Sequence, residues 1–406
     1  MQPPCNNNVS ADRLNCMESF YPLHTYVCGS CFLVQLQEYV SPKAIFSEYA
    51  YFSSYSEEWL EHAKRYVSMI TGRLGLNGSS WVVEVASNDG YLLQYFVEKG
   101  IPVLGVEPAA NVAEAAVKRG VPTLVEFFNL ETARRLVAER GGADLLIGNN
   151  VLAQVPNLNE FVESLRVLLG ASGVITMEFP HLARLMEWNQ FDTIYHEHFS
   201  YFSFTTVEKL FGAHGLRIFD VEELPTHGGS LRIYAGHVGD GSKSVSSRVV
   251  ELRDRERAEG LTELKSYFLF AERVRETKRS LLDFLIRVKR GGKSVVGYGA
   301  PGKGNTLLNY CGVRSDFLDY TVDRNPYKQG KFLPGSHVPI FDPGRIGVTK
   351  PDFVLILPWN IKGEVMRQLS FIGDWGGRFV VPIPRVIVYD ASGVEVAGSD
   401  LQFGGV

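Results

Sequence analysis

Four side chains that can move or steer protons stand together in the string Tyr195-His196-Glu197-His198. Histidine and glutamate are common general acids and bases, and a tyrosine hydroxyl can donate to a developing negative charge. In an extended segment, Tyr195 and Glu197 would share one face and the two histidines the other, whereas a kink would change which of these side chains converge. A single histidine is more often a hydrogen-bonded packing residue, but four such groups in one short stretch favour a catalytic function.

A second polar segment comes earlier in the chain, at Glu84-Val-Ala-Ser-Asn-Asp-Gly90. It follows an apolar strand, and such turns at the carboxyl edge of a parallel sheet bind ligands. The next predicted strand ends in Glu107, whose carboxylate could accept both hydroxyls of a ribose. The turn lacks the Gly-x-Gly-x-x-Gly pattern, and its acids would repel a pyrophosphate, so S-adenosylmethionine is favoured over a nicotinamide dinucleotide. The alternative is that Asp89-Gly90 is only a strand-to-helix turn with a helix cap.

Two further turns could hold a substrate. His227-Gly-Gly-Ser-Leu-Arg232 offers backbone amides, Ser230 and Arg232, although the same pattern is typical of a plain hairpin turn. Gly297-Tyr-Gly-Ala-Pro-Gly-Lys303, followed by Asn305, resembles a turn that approaches a phosphate, but a lone glycine-rich turn is weak evidence.

Four of the five cysteines lie in the first tenth of the chain. In a reducing compartment this crowding indicates metal binding before disulfides. Cys28-Gly-Ser-Cys31 is one knuckle of a zinc site, because its turn can aim both thiolates at one ion. A complete site needs two more ligands, and Cys5 and Cys16 form no second knuckle, so uncoordinated thiols stay an alternative.

The composition excludes several classes of protein. The chain has 406 residues, 45% of them hydrophobic, which suffices for two or three domains with buried cores. A net charge of −4 gives no electrostatic case for nucleic acid or for an anionic membrane surface. No apolar run approaches the ~20 residues that span a bilayer, and the N-terminus lacks the pattern of a signal peptide. We therefore expect a cytoplasmic protein with neither nucleic-acid nor membrane partners.

Apolar strands alternate with amphipathic helices from Ser80 onward. The predicted strands are 81–85, 102–106, 144–147 and 174–178, and the predicted helices are 91–99, 112–119 and 158–169. This succession predicts a doubly wound, mainly parallel sheet. A helix is also predicted from Glu57 to Thr71, with Trp59, Ala63, Tyr66 and Ile70 on one face.

The predicted fold class is therefore α/β. A small N-terminal module (residues 1–70) precedes an α/β domain (71–245), a helical connector (246–290) and a second α/β domain (291–406) that begins with a strand near Ser294. Two later apolar strands, ending at Asp323 and Trp359, continue the second domain.

Several unusual strings occur in order along nearly the whole chain, and they resemble one family. They are Met1-Gln-Pro-Pro, Tyr51-Phe-Ser-Ser-Tyr-Ser56, the stretch from Glu84 to Tyr91, Tyr195 to Phe202, His227 to Arg232, Gly297 to Thr306, Val322 to Lys331, and Leu355-Ile-Leu-Pro-Trp359. With these strings the chain resembles the bacterial deoxysugar C-methyltransferases, which act on nucleotide-linked 4-keto sugars in antibiotic and surface-polysaccharide pathways.

The resemblance implies a zinc-ribbon-like N-terminal module, a central Rossmann-like domain that binds S-adenosylmethionine, and a C-terminal Rossmann-like domain that contacts the nucleotide sugar. It implies methylation at C-3, with dTDP as the expected nucleotide and GDP or UDP still open. His198 is the expected base, and Tyr195 and Glu197 would orient it or stabilise an enolate. A monomer is expected.

The resulting candidate residues fall into three groups besides His198, Tyr195 and Glu197. Predicted cofactor-binding residues are Glu84, Ser87, Asn88, Asp89, Gly90, Glu107, Asn149, Asn150 and Tyr55. Predicted substrate-binding residues are Gln154, His196, His227, Ser230, Arg232, Lys303, Asn305 and Lys328. Predicted zinc ligands are Cys28 and Cys31. Lys328 and Lys331 are candidates for the sugar-linked diphosphate, and the alternative is that both are solvated loop lysines.

The sequence departs from the family pattern in two places. The family carries a Cys-x-x-Cys pair before its Gln-Pro-Pro string, whereas this sequence begins at that string, so either the start is truncated or zinc is held differently. The family usually has histidine where this chain has Gln154, which can hydrogen-bond but cannot carry a proton. Two alternatives therefore stay open: a nicotinamide-dependent nucleotide-sugar oxidoreductase or epimerase using the Gly297 turn, and a non-catalytic nucleotide-sugar-binding module.

Overall fold

The computed structural model describes residues 1–46 and 52–397, so Tyr51 of the string Tyr51 to Ser56 lies outside the described residues. The described chain forms two compact units built from separated stretches. The first unit holds Met1–Thr25, Arg184–His196 and the described residues from Lys265 onward, and the second holds those of Tyr26–Ala183 with Glu197–Leu264. The sequence predicted consecutive domains, and those boundaries stay a prediction.

The strands and helices are numbered in chain order. The strands are β1 (Thr25–Val27), β2 (Val34–Leu36), β3 (Val82–Val85), β4 (Val103–Val106), β5 (Thr123–Leu124), β6 (Ala143–Asn149), β7 (Leu169–Pro180), β8 (Ser200–Tyr201), β9 (Leu216–Leu224), β10 (Ser230–His237), β11 (Val295–Tyr298), β12 (Thr321–Val322), β13 (Ile340–Phe341), β14 (Phe353–Ile356), β15 (Arg378–Val381) and β16 (Ile387–Tyr389). The helices are α1 (Pro42–Phe46), α2 (Glu57–Leu74), α3 (Gln94–Val97), α4 (Ala110–Lys118), α5 (Leu130–Arg140), α6 (Leu158–Leu168), α7 (Leu182–Glu187), α8 (Phe204–Ala213), α9 (Ser247–Ala258), α10 (Leu264–Arg290), α11 (Gly302–Cys311), α12 (Arg345–Thr349) and α13 (Lys362–Gln368).

The second unit is built on a seven-stranded sheet in the order β5-β4-β3-β6-β7-β10-β9. The five neighbouring strands β5, β4, β3, β6 and β7 pair in parallel, while β10 runs antiparallel to both β7 and β9. All residues of β3 are buried, because helices cover both faces of the sheet. Residues of α2 pack on one face and residues of α6 on the other. The predicted α/β fold class is confirmed.

A small three-stranded sheet in the order β1-β2-β8 contains the cysteine turn. Its third strand, β8, begins two residues after His198 and pairs antiparallel with β2, Val34 opposite Tyr201. The strand next to the cysteine turn is therefore bonded to the segment that follows the predicted base.

The first unit holds a six-stranded sheet in the order β13-β12-β11-β14-β15-β16. Its strands pair in parallel except β16, which is antiparallel to β15. The predicted helical connector forms α9 and α10, and α10 buries Leu281 and Phe284 in the core of this unit. Among the described residues, no helix combines the length and apolar character needed to cross a membrane.

Candidate functional site

The turn after β3 is tight enough to exclude a side chain at its last residue. Ala86, Asn88 and Gly90 all have left-handed backbone, with φ of 58°, 49° and 75°. A Cβ on Gly90 would lie 3.0 Å from Val121 and 3.2 Å from Ala116, closer than ordinary contact. The turn therefore brings its polar residues to the carboxyl edge of the sheet, where open α/β folds bind ligands.

Glu107, which follows β4, fastens this turn. Its Oε2 accepts from the Asn88 N–H at 2.9 Å and its Oε1 from the Ala109 N–H at 2.9 Å. Burial raises the pKa of Glu107, although the two N–H bonds act in the opposite direction. Each carboxylate oxygen has a second lone pair, so Glu107 can still accept a ribose hydroxyl.

Glu84 is a fully buried acid with no counter-charge beside it among the described residues. Its exposed fraction is 0%, and neither carboxylate oxygen has a hydrogen-bond partner among the residues that the structure describes. Burial, then the nearby Glu107 and Asp89, raise the pKa of Glu84 well above its usual range, and the Tyr91 hydroxyl opposes this only in part. A cationic ligand at this position would relieve the cost of the buried carboxylate.

Asp89 is held by groups from outside the turn. Its Oδ2 accepts from the Ser54 hydroxyl and from Arg119 Nη1, the latter at 2.8 Å. The Ser53 N–H donates to Asn88 Oδ1 at 2.9 Å. The short turn that precedes α2 is thus fastened onto the predicted cofactor turn.

Two other predicted cofactor residues differ sharply in exposure. Tyr55 is 77% exposed and stacks on Phe52, with ring centroids 5.3 Å apart. Ser87 is fully buried, and its Oγ has no hydrogen-bond partner within the described part of the chain. Tyr55 is therefore accessible to a ligand, whereas Ser87 lies beneath the turn.

The next predicted residues lie at the end of β6, around the ring of Trp59, which the sequence analysis did not single out for function. Asn149 donates to the Tyr91 hydroxyl at 3.3 Å, and the Asn150 side chain lies 3.3 Å from His227 Nε2. The Trp59 ring lies 5.1 Å from the His227 ring and 6.0 Å from the Tyr91 ring. The structure thus brings Asn149, Asn150 and His227 together at the carboxyl edge of the sheet.

Arg232 and Ser230 make their polar bonds inside the second unit. Arg232 Nε donates to Glu178 Oε1 at 2.8 Å, and its Nη1 donates to Glu222 at 3.1 Å. The Ser230 hydroxyl donates to the Thr226 carbonyl at 2.9 Å. Both residues are at least 95% buried, so a direct contact with substrate stays a prediction.

Glu178 and His62 were missed by the sequence analysis. His62 Nε2 lies 2.9 Å from Glu178 Oε2 and stacks on Trp59, with ring centroids 4.9 Å apart. Burial alone would raise the pKa of Glu178, but His62 and Arg232 hold it below its usual range. Trp59 could be placed on the packed face of α2 from its spacing, whereas nothing in the local sequence links His62 to a strand so distant along the chain.

The string Tyr195 to His198 is not extended. His196 and Glu197 form a turn, so the alternation of side chains that an extended segment would show does not apply to them. Tyr195 and His196 belong to the first unit, where His196 Nε2 donates to the Pro22 carbonyl at 3.0 Å. Glu197 and His198 belong to the second unit. Burial lowers the pKa of His196.

Glu197 and His198 differ in exposure within the second unit. Glu197 is buried, and His198 is half-buried with its ring 6.1 Å from Tyr201 in an edge-on contact. Gln154 is also half-buried and ends a single 3-10 turn, its N–H donating to the Val151 carbonyl at 2.8 Å. The catalytic and substrate-binding assignments of these residues stay predictions.

The glycine turn after β11 is basic. Lys303 Nζ donates to Asn360 Oδ1 at 2.9 Å and lies 4.7 Å above the Trp359 ring. Asn305, only 1% exposed, donates to the Cys5 carbonyl at 2.6 Å. Lys303 therefore stands at the carboxyl edge of its sheet, while Asn305 binds an N-terminal residue of the same unit.

Lys328 and Asp192 complete the surroundings of this turn. Lys328 Nζ donates to the Ala300 carbonyl at 2.9 Å and lies 3.5 Å from Asp323. Asp192, which the sequence analysis did not single out, is fully buried and accepts from Trp359 Nε1 at 2.7 Å. Burial raises the pKa of Asp192 to about 7, although Lys303 opposes this.

The cysteine turn supplies two of the four ligands that a structural zinc ion requires. The Cys28 N–H donates to the Leu33 carbonyl at 2.9 Å, and the Phe32 N–H donates back to the Cys28 carbonyl at 3.0 Å. Both thiols, of Cys28 and Cys31, are free. No group of three or more potential metal ligands occurs within residues 1–46 and 52–397. The described residues thus fit half of a zinc site.

Comparisons with known proteins match the N-terminal, central and C-terminal parts of the chain. One family model, described as "Putative zinc binding domain", matches residues 1–46; "Methyltransferase domain" matches 59–221, and "C-methyltransferase C-terminal domain" matches 225–384. C-methyltransferase NovU from Streptomyces niveus is 37% identical over 374 residues, which cover 92% of this chain and 89% of that protein.

Solved structures show weaker likeness. The PH0226 protein from Pyrococcus horikoshii is 18% identical with a TM-score of 0.38, over 50% of this chain and 99% of that chain. A SAM-dependent methyltransferase from Anabaena variabilis is 18% identical with a TM-score of 0.36, over 43% of this chain and 85% of that chain.

Proposed function

Since the chain belongs to the bacterial S-adenosylmethionine-dependent C-methyltransferase family, we propose that it methylates C-3 of a nucleotide-linked 4-keto deoxysugar. The expected nucleotide is dTDP. The sugar and the position rest on the resemblance carried by the strings around Glu84, Tyr195 and His227. Family membership favours methyl transfer over the nicotinamide-dependent alternative.

The observation that carries this proposal is the buried, unpartnered carboxylate of Glu84 at the end of β3. S-adenosylmethionine, when bound, supplies an electrophilic methyl group on a positively charged sulfonium. In our proposal Glu84 pairs with the ammonium group of the cofactor and Glu107 accepts its ribose hydroxyls. Asp89 is already paired with Arg119, so Glu84 and Glu107 are the acids left to meet the cofactor, and a turn lined by acids suits a cation and disfavours a diphosphate.

The remaining predicted cofactor residues surround this turn. Gly90 admits the close approach of a ligand because it carries no side chain, and Tyr55 is exposed beside the turn. We propose that Asn149 and Asn150, at the carboxyl end of β6, contact the cofactor from the neighbouring strand, with Ser87 and Asn88 shaping the turn.

A carbon next to a ketone becomes nucleophilic when its proton is removed and the charge spreads onto the oxygen as an enolate. We assign this proton transfer to His198, with Tyr195 and Glu197 orienting it or stabilising the enolate oxygen. The half-buried imidazole of His198 is accessible to a substrate, as a general base must be. The buried Glu197 suits an orienting function.

We assign the diphosphate of the substrate to Lys303 and Lys328, which stand at the basic turn after β11. The other proposed substrate residues are Gln154, His196, His227, Ser230, Arg232 and Asn305. Ser230, Arg232 and Asn305 already bond within their own units, so they would shape the site more than contact the sugar.

The test is to incubate the purified protein with S-adenosylmethionine and a dTDP-4-keto-2,6-dideoxysugar in deuterated water, and to follow the sugar by mass spectrometry. We expect the gain of one methyl group. Deuterium uptake without methyl transfer would mean a working base with another acceptor. Cofactor binding with neither methyl gain nor deuterium uptake would favour a non-catalytic binding module.

The variant His198→Asn should lose methyl transfer by about 10²–10⁴-fold, the usual contribution of a general base, while S-adenosylmethionine still binds. His214→Asn is the matched control, because the His214 ring bonds with Asn159 and Glu163 on α6 of the same unit. Near-wild-type turnover of His198→Asn would exclude His198 as the base.

A further inference from the structure

Glu256 of α9 is a fully buried acid whose hydrogen-bonding capacity is filled by other elements of the second unit. Its Oε1 accepts from His181 Nε2 at 2.7 Å and from the Phe204 N–H at 2.6 Å. Its Oε2 accepts from the N–H and the hydroxyl of Thr205, at 2.8 and 2.7 Å. Four donors to one carboxylate hold Glu256 charged, and the pKa of Glu256 lies below its usual range although burial alone would raise it.

Two of these donors are the first backbone N–H groups of α8. The start of a helix leaves N–H groups without partners inside the helix, and a negative charge there is favourable. Ser203 caps the same turn, its hydroxyl accepting from the Thr206 N–H at 3.1 Å. Glu256 therefore fixes where α8 begins and hence where the preceding segment ends.

That preceding segment, residues 199–202, follows His198 directly. The Phe199 N–H donates to the Ala153 carbonyl at 2.7 Å, and the Leu36 N–H donates to the Phe199 carbonyl at 2.9 Å. Backbone bonds thus hold the segment at its beginning, and Glu256 holds it at its end.

His181 connects Glu256 to the second predicted substrate string. It is 2% exposed, and its backbone N–H donates to the Gly229 carbonyl at 3.0 Å, beside His227. It also forms an isolated β-bridge with Phe202. Its Nδ1 is buried and has no partner among the described residues, so Nε2 makes the hydrogen bond to Glu256.

We propose that Glu256 and His181 are positioning residues, which hold the segment after His198 and the Gly228-Gly229 turn in one fixed arrangement. The functional part of this inference rests on the assignment of His198 as the base. The positional part does not, because it concerns only the contacts of Glu256 and His181. Neither residue touches a reacting group; each acts through the backbone that it binds.

The charge of Glu256 matters because two of its donors, His181 Nε2 and the Phe204 N–H, are buried, while the N–H and hydroxyl of Thr205 are partly buried. If the carboxylate is replaced, these donors lose a charged acceptor, and buried donors have no water to replace it. Glu208, by contrast, joins the same two helices, α8 and α9, through an ion pair with Arg253 at 2.6 Å in which both side chains are about a third exposed. It provides a matched control.

The experiment compares Glu256→Gln with Glu208→Gln in the full chain. We expect Glu256→Gln to lower kcat by about 10- to 100-fold, since a displacement of one ångström can cost that much. The KM for S-adenosylmethionine should change by less than about twofold, because the cofactor turn is not touched. Hydrogen exchange should become faster at the amides of residues 199–205 in Glu256→Gln and stay unchanged in Glu208→Gln.

A milder pair of variants covers the case in which Glu256→Gln does not fold. His181→Gln keeps a neutral donor for Glu256, whereas His181→Phe removes it, so only His181→Phe should show the loss of kcat and of exchange protection. Equal behaviour of the two variants, or wild-type kcat and protection in Glu256→Gln, would overturn the proposal. If the wild-type chain failed to methylate the sugar, the proposed function would fail, while the exchange data would still decide the positional inference.

Discussion

The turns after β3 and β11 are built alike but differ in charge. After β3, the acid that follows the neighbouring strand, Glu107, accepts the Asn88 N–H at 2.9 Å. After β11, the acid that follows β12, Asp323, accepts the Ala300 N–H at 2.7 Å. The backbone arrangement of a strand, a turn and an acid from the adjacent strand is therefore common to both sheets.

The side chains around these two turns set them apart. The β3 turn adds Glu84 and Asp89, and Glu84 has no cation beside it. The β11 turn adds Lys303 and Lys328, and Lys328 lies 3.5 Å from Asp323. In our proposal, the same fold element serves ligands of opposite charge, a cation at the first turn and an anion at the second, because the side chains around the two turns differ.

The largest effect that would test this contrast is the pH dependence of the free energy of unfolding that comes from Asp192, the buried acid near the basic turn. Burial raises its pKa from 3.8 to about 7, so the folded state binds this proton more tightly than the unfolded state. Its contribution to the free energy of unfolding is present below about pH 4 and is lost by about pH 7, on the order of 4 kcal/mol. Asp192→Asn should remove this slope in urea unfolding, whereas the exposed Asp316→Asn should keep it.

The next effect is the loss of stability when the glycine in each of the two turns, Gly299 or Gly90, is replaced by alanine. Gly299 has φ 88°, and a Cβ there would lie 2.6 Å from Pro358; at Gly90 the nearest atom, on Val121, would be 3.0 Å away. Substitution by alanine should cost about 3 kcal/mol at Gly299 and about 2 kcal/mol at Gly90. Gly120, with positive φ and open space, should cost only about 1 kcal/mol. Equal losses of unfolding free energy for the three variants in urea titrations would mean that the positive φ alone determines the cost of each substitution.

A third variant tests the acidic character of the β3 turn. Glu84→Gln should weaken S-adenosylmethionine binding by about 10- to 100-fold, the worth of a charge-assisted hydrogen bond, while the ligand-free protein becomes more stable. In the wild-type protein, binding a cation ionises Glu84, so affinity should rise with pH because the pKa of this acid is raised. Isothermal titration of Glu84→Gln should show no such rise, and the exposed Glu98→Gln should behave as wild type.

The same titration with S-adenosylhomocysteine identifies the cation that Glu84 recognises. That compound keeps the ammonium group and lacks the sulfonium charge. Equal losses for both ligands in Glu84→Gln would support a pair with the ammonium group, and a loss confined to S-adenosylmethionine would contradict it.

The smallest effect concerns the basic turn. Lys328→Met removes a partly exposed ion pair with Asp323 and should change the free energy of unfolding by at most about 1 kcal/mol. It should nevertheless raise the KM for the nucleotide sugar, whereas Lys350→Met, at an exposed lysine of the same unit, should not. An unchanged KM in Lys328→Met would remove this lysine from the proposed diphosphate site.

Most of the central sheet could be predicted because its strands are short runs of buried, branched residues. The strand predicted at 102–106 corresponds to β4, and the one predicted at 144–147 lies inside β6. The helix predicted at 91–99 is shorter, because turns precede it and bury Tyr91 and Leu92. Strands β9 and β10 were not predicted, since the polar residues of β10, such as Arg232, find their partners on other strands.

The candidate site was predictable where chemistry is local. The acids of the β3 turn stand within one short string, and Glu107 ends the next predicted strand. His62 and Glu178 could not be found this way, because they meet across 116 positions of sequence. The same holds for Glu256, whose partner His181 lies 75 positions away. Such pairs are determined by tertiary packing, which no local pattern encodes.

The pairing of β2 with β8 has a consequence for how the chain is made. Val34 meets Tyr201 only after the intervening stretch has left the ribosome, so the sheet beside the cysteine turn cannot be completed early in synthesis. Until β8 has left the ribosome, β2 lacks this partner, so the sheet beside Cys28 and Cys31 is incomplete. We expect the thiols of these two cysteines to be modified faster in ribosome-bound chains whose residue 201 is still inside the exit tunnel than in released full-length chains.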